Sequence, residues 1–196
     1  MPNEETRQLQ NLSVKCLKRL FPSKIEHIPI EIRKEWHPFS DQKNISSPII
    51  DVVVGPLAIT TTRINEYNLL FENTRVSSFI QKVIDIHNQN LRENHIPRDV
   101  QILDDFREGG YTNPNSRSFI AIEIEGREDR KVVLADIVNV AAMGRIGIIV
   151  AKNEKVLRIF VRLLYYLYFL QKAGKPTFKT GNVIILTQQQ FKNILR

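Results

Sequence analysis

The sequence predicts a single α/β domain with a mixed central sheet flanked by helices. Apolar runs rich in β-branched residues occur at 48–54, 118–125, 146–150 and 183–186, the composition of buried strands. Between them, apolar residues recur at spacings of three and four, which is helical periodicity. From Ser118 onward strand, helix and strand alternate, and two strands joined by a helical crossover form a parallel unit.

Taken in order, Leu9, Leu12, Cys16, Leu17 and Leu20 mark a first helix over 4–20, with Asn3 as its cap and Glu4 and Glu5 at its positive end. Pro22, Pro29 and Pro38 then break the chain, and 31–36 reads equally as a short helix or an extended piece. The run 48–54 is a strand, Gly55-Pro56 a turn, and 57–63, with three consecutive threonines, a second strand. Val76, Phe79, Ile80, Val83, Ile84, His87 and Leu91 form a helix stripe over 76–93. Residues 97–118, with Gly109-Gly110 and Asn113-Pro114, read as a long loop. Strand 118–125, helix 134–143, a stop at Gly144 and strand 146–150 follow. Asn153 caps a helix to 173 whose apolar residues cover much of its circumference, and Gly174 and Pro176 end it. After strand 183–186, Thr187 and Gln190 fit a capping box that opens a terminal helix.

The 196 residues suffice for one compact domain with a substantial core, or two small ones. A single cysteine, Cys16, excludes an internal disulfide, and no charged-then-apolar leader is visible, so a reducing, cytoplasmic setting is expected. The longest apolar stretch, 163–170, falls short of the roughly 20 residues of a membrane span. The net charge of +7 is uneven: residues 126–196 hold thirteen Lys and Arg against four Asp and Glu. That asymmetry suits a polyanionic partner, and equally a solvated basic surface.

Three acids stand where burial is expected. Asp51 interrupts Ile49, Ile50, Val52, Val53 and Val54, and Glu123 and Glu125 interrupt 119–125. Residues two apart on a strand face the same side, so Glu123 and Glu125 project together, with Phe119 and Ala121 on their face. If Asp51 lies on a neighbouring strand, three acids converge, and a divalent metal reverses their mutual repulsion. Taken singly, Glu125 beside Gly126 reads as surface, and Asp51 as hydrogen-bonded at a sheet edge.

The succession of helix, strand with Asp51, strand, strand with Glu123-Ile-Glu125, helix and strand resembles the PD-(D/E)XK nuclease superfamily, over about 4–151. The resemblance implies a restriction-endonuclease-like fold and hydrolysis of DNA phosphodiesters with Mg²⁺, or Mn²⁺ in its place. It implies that Asp51 and Glu123 bind metal and that Glu125 binds metal or orients the attacking water. Glu35, with Glu31 as its rival on one helix face, would complete the metal shell; both also read as surface acids. The match departs from the family at Glu125, where lysine is expected, as in some restriction endonucleases. Lys131 and Lys152 are candidates for the displaced lysine, and both read equally as solvated surface. The 72 residues from Asp51 to Glu123 exceed the compact motif, which implies an insertion over about 66–117, while 153–196 adds a helix, strand and helix. Enzymes of this type often dimerise, so a homodimer is a further expectation.

Before the acidic strand, 107–117 offers Arg107, Tyr111 and Arg117 with two glycines, a composition suited to gripping nucleic acid and equally to a connector. Lys155, Arg158 and Arg162 form a basic ridge or snorkel from a buried helix. His27, His37, His87 and His95 lack metal-ligand spacing, and His87 reads as a packed histidine. Two other functions stay open: a catalytically inactive nuclease-fold module for DNA binding or assembly, and a protein-interaction domain.

Overall fold

The computed structural model describes residues 4–39, 44, 47–58, 63–100 and 113–196. Helix α1 (Glu4–Leu20) leads into a small hairpin of β1 (Lys24–Ile25) and β2 (Ile28–Pro29), then strands β3 (Ile32–Trp36) and β4 (Ile50–Val54). Helices α2 (Ile64–Glu72) and α3 (Thr74–Glu93) follow. The chain continues through β5 (Ser118–Glu125), α4 (Arg130–Met143), β6 (Gly144–Ala151), α5 (Glu154–Lys172), β7 (Val183–Thr187) and α6 (Gln188–Ile194).

The main sheet has the order β3-β4-β5-β6-β7. The β3–β4 and β4–β5 pairs are antiparallel, while β5, β6 and β7 run parallel to one another. The two parallel joins use α4 and α5 as crossovers, which parallel pairing demands. Every residue of β5, β6 and β7 is buried, as expected of a parallel sheet covered on both faces. One core cluster joins α1, α2, α3 and α6 to Val52, Val54, Ile120, Ile122 and Ile124. The other joins α4 and α5 to Val53, Ala121, Ile149 and Ile185. The alternation of Val52 and Val53, or of Ala121 and Ile122, between two cores is the period of a strand at work.

Several expectations change. The 31–36 segment is an edge strand, so Glu31 and Glu35 do not share a helix face; Glu31 instead pairs with Arg33. Leu57 and Ala58 belong to no strand, and 59–62 lie outside the described residues. The region expected as an insertion holds two helices, because Asn73 ends α2 and its side chain caps α3 by accepting from Arg75 and Val76 N–H. Phe119 leaves the acidic face and packs with Phe21, Tyr67 and Phe71 in the opposite core. On α1 the buried face is Leu9, Gln10, Ser13 and Leu17, whereas Leu12 is exposed. Asn3 lies outside the described residues. The capping box at Thr187 and Gln190 forms as expected.

β7 is an edge strand, and α3 covers its open backbone. His87 Nδ1 accepts from the Ile185 N–H (3.0 Å), and Asn90 Nδ2 donates to the Ile185 carbonyl (3.0 Å). Burial pushes the His87 imidazole down to about 4, so it is neutral at physiological pH and serves as an acceptor that closes a sheet edge. Among the described residues no helix is long and apolar enough to cross a membrane.

Helix α4 lies close on β6 because Gly147 has no side chain. A Cβ there would stand 2.8 Å from Val140 Cγ2 and 3.0 Å from the Val140 carbonyl carbon. Gly147→Ala should therefore cost about 1–3 kcal/mol of stability, an overpacking effect. Urea denaturation checks this; an unchanged midpoint would contradict the close approach.

Candidate active site

Antiparallel register pairs Val52 with Ile122 and Val53 with Ala121, and one step further along the ladder Asp51 falls opposite Glu123. Strand alternation puts Asp51, Glu123 and Glu125 on the face covered by α4. From that helix Asp136 and Asn139 join them. All five line one pocket of about 760 Å³, together with Glu35, His37, Ile49, Arg127 and Lys152, and with Thr6 and Arg7 from α1.

Each acid has its own surroundings. Asp51 accepts from Gln10 Nε2 at Oδ1 (2.8 Å) and from the Ile124 N–H at Oδ2 (2.7 Å). Burial nevertheless raises its carboxyl above the ordinary range, outweighing these donors and a hydrogen bond with the Glu123 side chain. Glu123 is 6 % exposed, and burial, then the charges of Asp51 and Asp136, drive it well above the usual carboxylate value. Its neutral form is thereby favoured, and in that form it can donate to Asp51. Asp136 is pushed up to about 7 by burial first and by Glu125 next. As a carboxylate it leaves Oδ2 buried with no hydrogen-bond partner; as an acid it can donate to Glu125.

Glu125 behaves oppositely. Burial pushes its carboxyl up, but hydrogen bonds from Arg127 and Gly126 together hold it below the ordinary value. The Arg127 guanidinium forks onto it through Nε (3.0 Å) and Nη2 (2.6 Å) to Oε2, and Gly126 and Arg127 N–H groups donate to Oε1 (2.7 and 2.6 Å). A bidentate, charge-assisted fork of this kind stabilises an ionised acid.

The acids form the floor, whereas Arg7, Arg127 and Lys152 are exposed and stand around the same pocket. Lys152 follows β6 directly; its N–H donates to the Glu125 carbonyl (2.9 Å) and its ammonium pairs with Glu5 (2.8 Å). Of the two lysine candidates, Lys152 reaches the pocket and the exposed Lys131, in the first turn of α4, does not. Glu35 lines the pocket from β3 with a left-handed backbone, φ 49°, a conformation uncommon for a residue with a side chain. Arg117 precedes β5 at the end remote from Glu123, about 20 Å along the strand at its usual rise, and is not part of the site. Arg107 and Tyr111 lie outside the described residues.

Asp136, Asn139, Gln10 and Arg127 escaped the sequence reading. Asp136 had a signal: it sits between Val133, Ile137 and Val140 on the buried stripe of α4, where an acid is as anomalous as Asp51 is on β4. Gln10 had a weaker one, sharing the buried face of Leu9, Ser13 and Leu17.

Among the described residues no group of three or more His, Cys, Asp or Glu side chains is disposed as it stands to hold a metal ion. The reason is visible in the hydrogen bonds, since protein donors occupy both Asp51 oxygens and both Glu125 oxygens. The chemistry of the donor set nonetheless suits a hard cation: carboxylate oxygens, an orphaned buried Asp136 oxygen, and two acids raised by burial first and by neighbouring negative charge second.

The raised acids have a sign that can be tested. A carboxyl whose folded-state value is raised contributes stability in full below the ordinary carboxylate range, and loses it as pH rises through the folded value, about 7 for Asp136. In chelator, thermal unfolding should therefore show stability falling from pH 5 to pH 8. In Asp136→Asn that fall should shrink by on the order of 2 kcal/mol; equal pH profiles for the two proteins would contradict the burial of this acid. No family model matches this chain, and neither does a curated protein or a solved structure.

Proposed function

We propose that the pocket is a divalent-metal centre for hydrolysis of DNA phosphodiesters, with Mg²⁺ as the ion and Mn²⁺ able to replace it. The observation that carries this reading is the meeting of Asp51, Glu123, Glu125 and Asp136 in one pocket, with an Asp136 oxygen buried and unpartnered. The order differs from the one on which the sequence resemblance rests, since β3 precedes the Asp51 strand and α2 and α3, not a strand, separate β4 from β5. What supports the reading is that Asp51 and Glu123-Ile-Glu125 nonetheless lie on adjacent strands, with α4 and β6 following.

In this reading Asp51, Glu123 and Asp136 hold the ion, and Glu125 holds it or orients the attacking water. When bound, the ion polarises a phosphoryl oxygen and makes a water acidic enough to attack at neutral pH. The chain's own groups do the rest. Burial raises both Glu123 and Asp136, so ion binding, which needs their ionised forms, should strengthen as pH rises through about 7 for Asp136. Gln10 fixes the Asp51 carboxylate through Oδ1. Arg127 and Lys152 offer positive charge to a phosphate at the rim, and Lys152 takes the part of the lysine that Glu125 displaces.

A second reading, a nuclease-fold module that binds DNA or assembles without cutting, is favoured by one feature. Glu125 is already neutralised by Arg127, and protein donors occupy both Asp51 oxygens. Cleavage of plasmid, single-stranded and branched DNA in Mg²⁺, Mn²⁺ and chelator separates the two. The metal-centre reading expects ion-dependent cutting that drops at least about a hundredfold in Asp51→Asn, with the circular dichroism spectrum unchanged. Binding without cutting in any ion supports the inactive module, and full activity in Asp51→Asn removes the assignment.

A further inference from the structure

The outer face of α5 carries a feature that the fold does not require. Lys155, Arg158, Arg162, Tyr165 and Phe169 follow one another at spacings of three, four, three and four, with Tyr166 beside them, so they form one stripe along the helix. All six are exposed, and the aromatic members are far from buried: Tyr165 37 %, Tyr166 54 % and Phe169 59 %. The apolar core of α5 is satisfied on its other face by Val156, Leu157, Phe160, Val161, Leu164 and Leu167. Single exposed aromatics are ordinary, whereas three adjoining on one helix mark an interaction surface.

Charge narrows the partner. The helix contains one acid, Glu154 in its first turn, against four cations, and among the described residues neither Arg158 nor Arg162 has an acidic partner. The acids near this helix, Glu128 and Asp99, pair with Lys155 and Lys172 at its two ends, which leaves the middle of the stripe with an excess of positive charge that favours a polyanion over a second copy. Guanidinium groups followed by open aromatic faces are the composition that binds phosphates and stacks unpaired bases. Duplex bases present no free faces to Tyr166 or Phe169. The stripe also starts at the acidic pocket: Lys152 lines the pocket two residues before α5, and Lys155 pairs with Glu128, next to Arg127 (2.7 Å). From Lys155 to Phe169 it extends about 21 Å at the helical rise, a length that spans several nucleotides.

We infer that this face of α5 is a track for single-stranded DNA leading away from the pocket. Arg158 and Arg162 pair with successive phosphates, and Tyr165, Tyr166 and Phe169 stack on bases. The direction of the track rests on the pocket being the site of phosphodiester chemistry; the binding itself does not.

Fluorescence anisotropy with a labelled oligothymidine and a duplex of equal length, in chelator and at varied salt, tests this without any contribution from metal. The oligothymidine should bind more tightly than the duplex. Phe169→Ala and Tyr166→Ala should each weaken it about tenfold, with the salt slope unchanged. Arg158→Ala combined with Arg162→Ala should lower the magnitude of that slope by about 1.4. All four side chains are exposed, so the variants should fold. Equal affinity for duplex, or affinity indifferent to the aromatic substitutions, would overturn the track. So would a dimer in sedimentation that Phe169→Ala dissolves while DNA binding persists, because the stripe would then be a contact between copies. Loss of cleavage in chelator-free assays with this binding intact would count against the metal centre alone.

Discussion

Everything at the pocket follows from carboxyl groups withdrawn from water where β4 and β5 lie side by side. A carboxylate in such a place needs either donors or a proton, and the protein uses both. Asp51 and Glu125 are held by donors from Gln10, Ile124, Gly126 and Arg127, whereas burial shifts Glu123 and Asp136 towards their protonated forms. Two carboxyls of each kind interleave, so that Glu123 can donate to Asp51 and Asp136 to Glu125.

The fold creates that constraint step by step. Antiparallel register sets Asp51 opposite Glu123, and alternation turns Glu125 to the same side. The crossover helix α4 must then pass over this face to reach β6, and Gly147 lets it lie close. Asp136 is brought down with it. Outside the acids, exposed Arg7, Arg127 and Lys152 ring the mouth, so positive groups stand at the rim above a floor of carboxyls. This division of charge is the feature on which the proposed metal-dependent phosphodiesterase reading rests.

Much of this was legible in the residues. Strand 118–125 and helix 4–20 show their bounds through continuous apolar runs and clear caps, and strand period alone placed Glu123 and Glu125 on one face. The acid at Asp51 was conspicuous because its neighbours are all aliphatic. What stayed hidden needed tertiary information. The edge strand β3 has three consecutive exposed residues, Arg33, Lys34 and Glu35, and so shows no alternation. The break between α2 and α3 depends on a single asparagine cap in an otherwise helical run. Phe119 took the opposite face because Phe21, Tyr67 and Phe71 gather there, a cluster drawn from three distant segments. Asp136 was visible as an anomaly on its helix, but nothing local tells that α4 turns it towards Asp51.

Calorimetric titration of the protein with Mn²⁺ at pH 7, in two buffers of different ionisation enthalpy, tests the centre most directly. An ion that binds among these acids competes with protons for Glu123 and Asp136, both raised by burial, so saturable uptake should be accompanied by proton release, and Glu123→Gln should abolish the uptake. No saturable uptake, or uptake that releases no proton and persists in Glu123→Gln, would contradict a metal centre in this pocket.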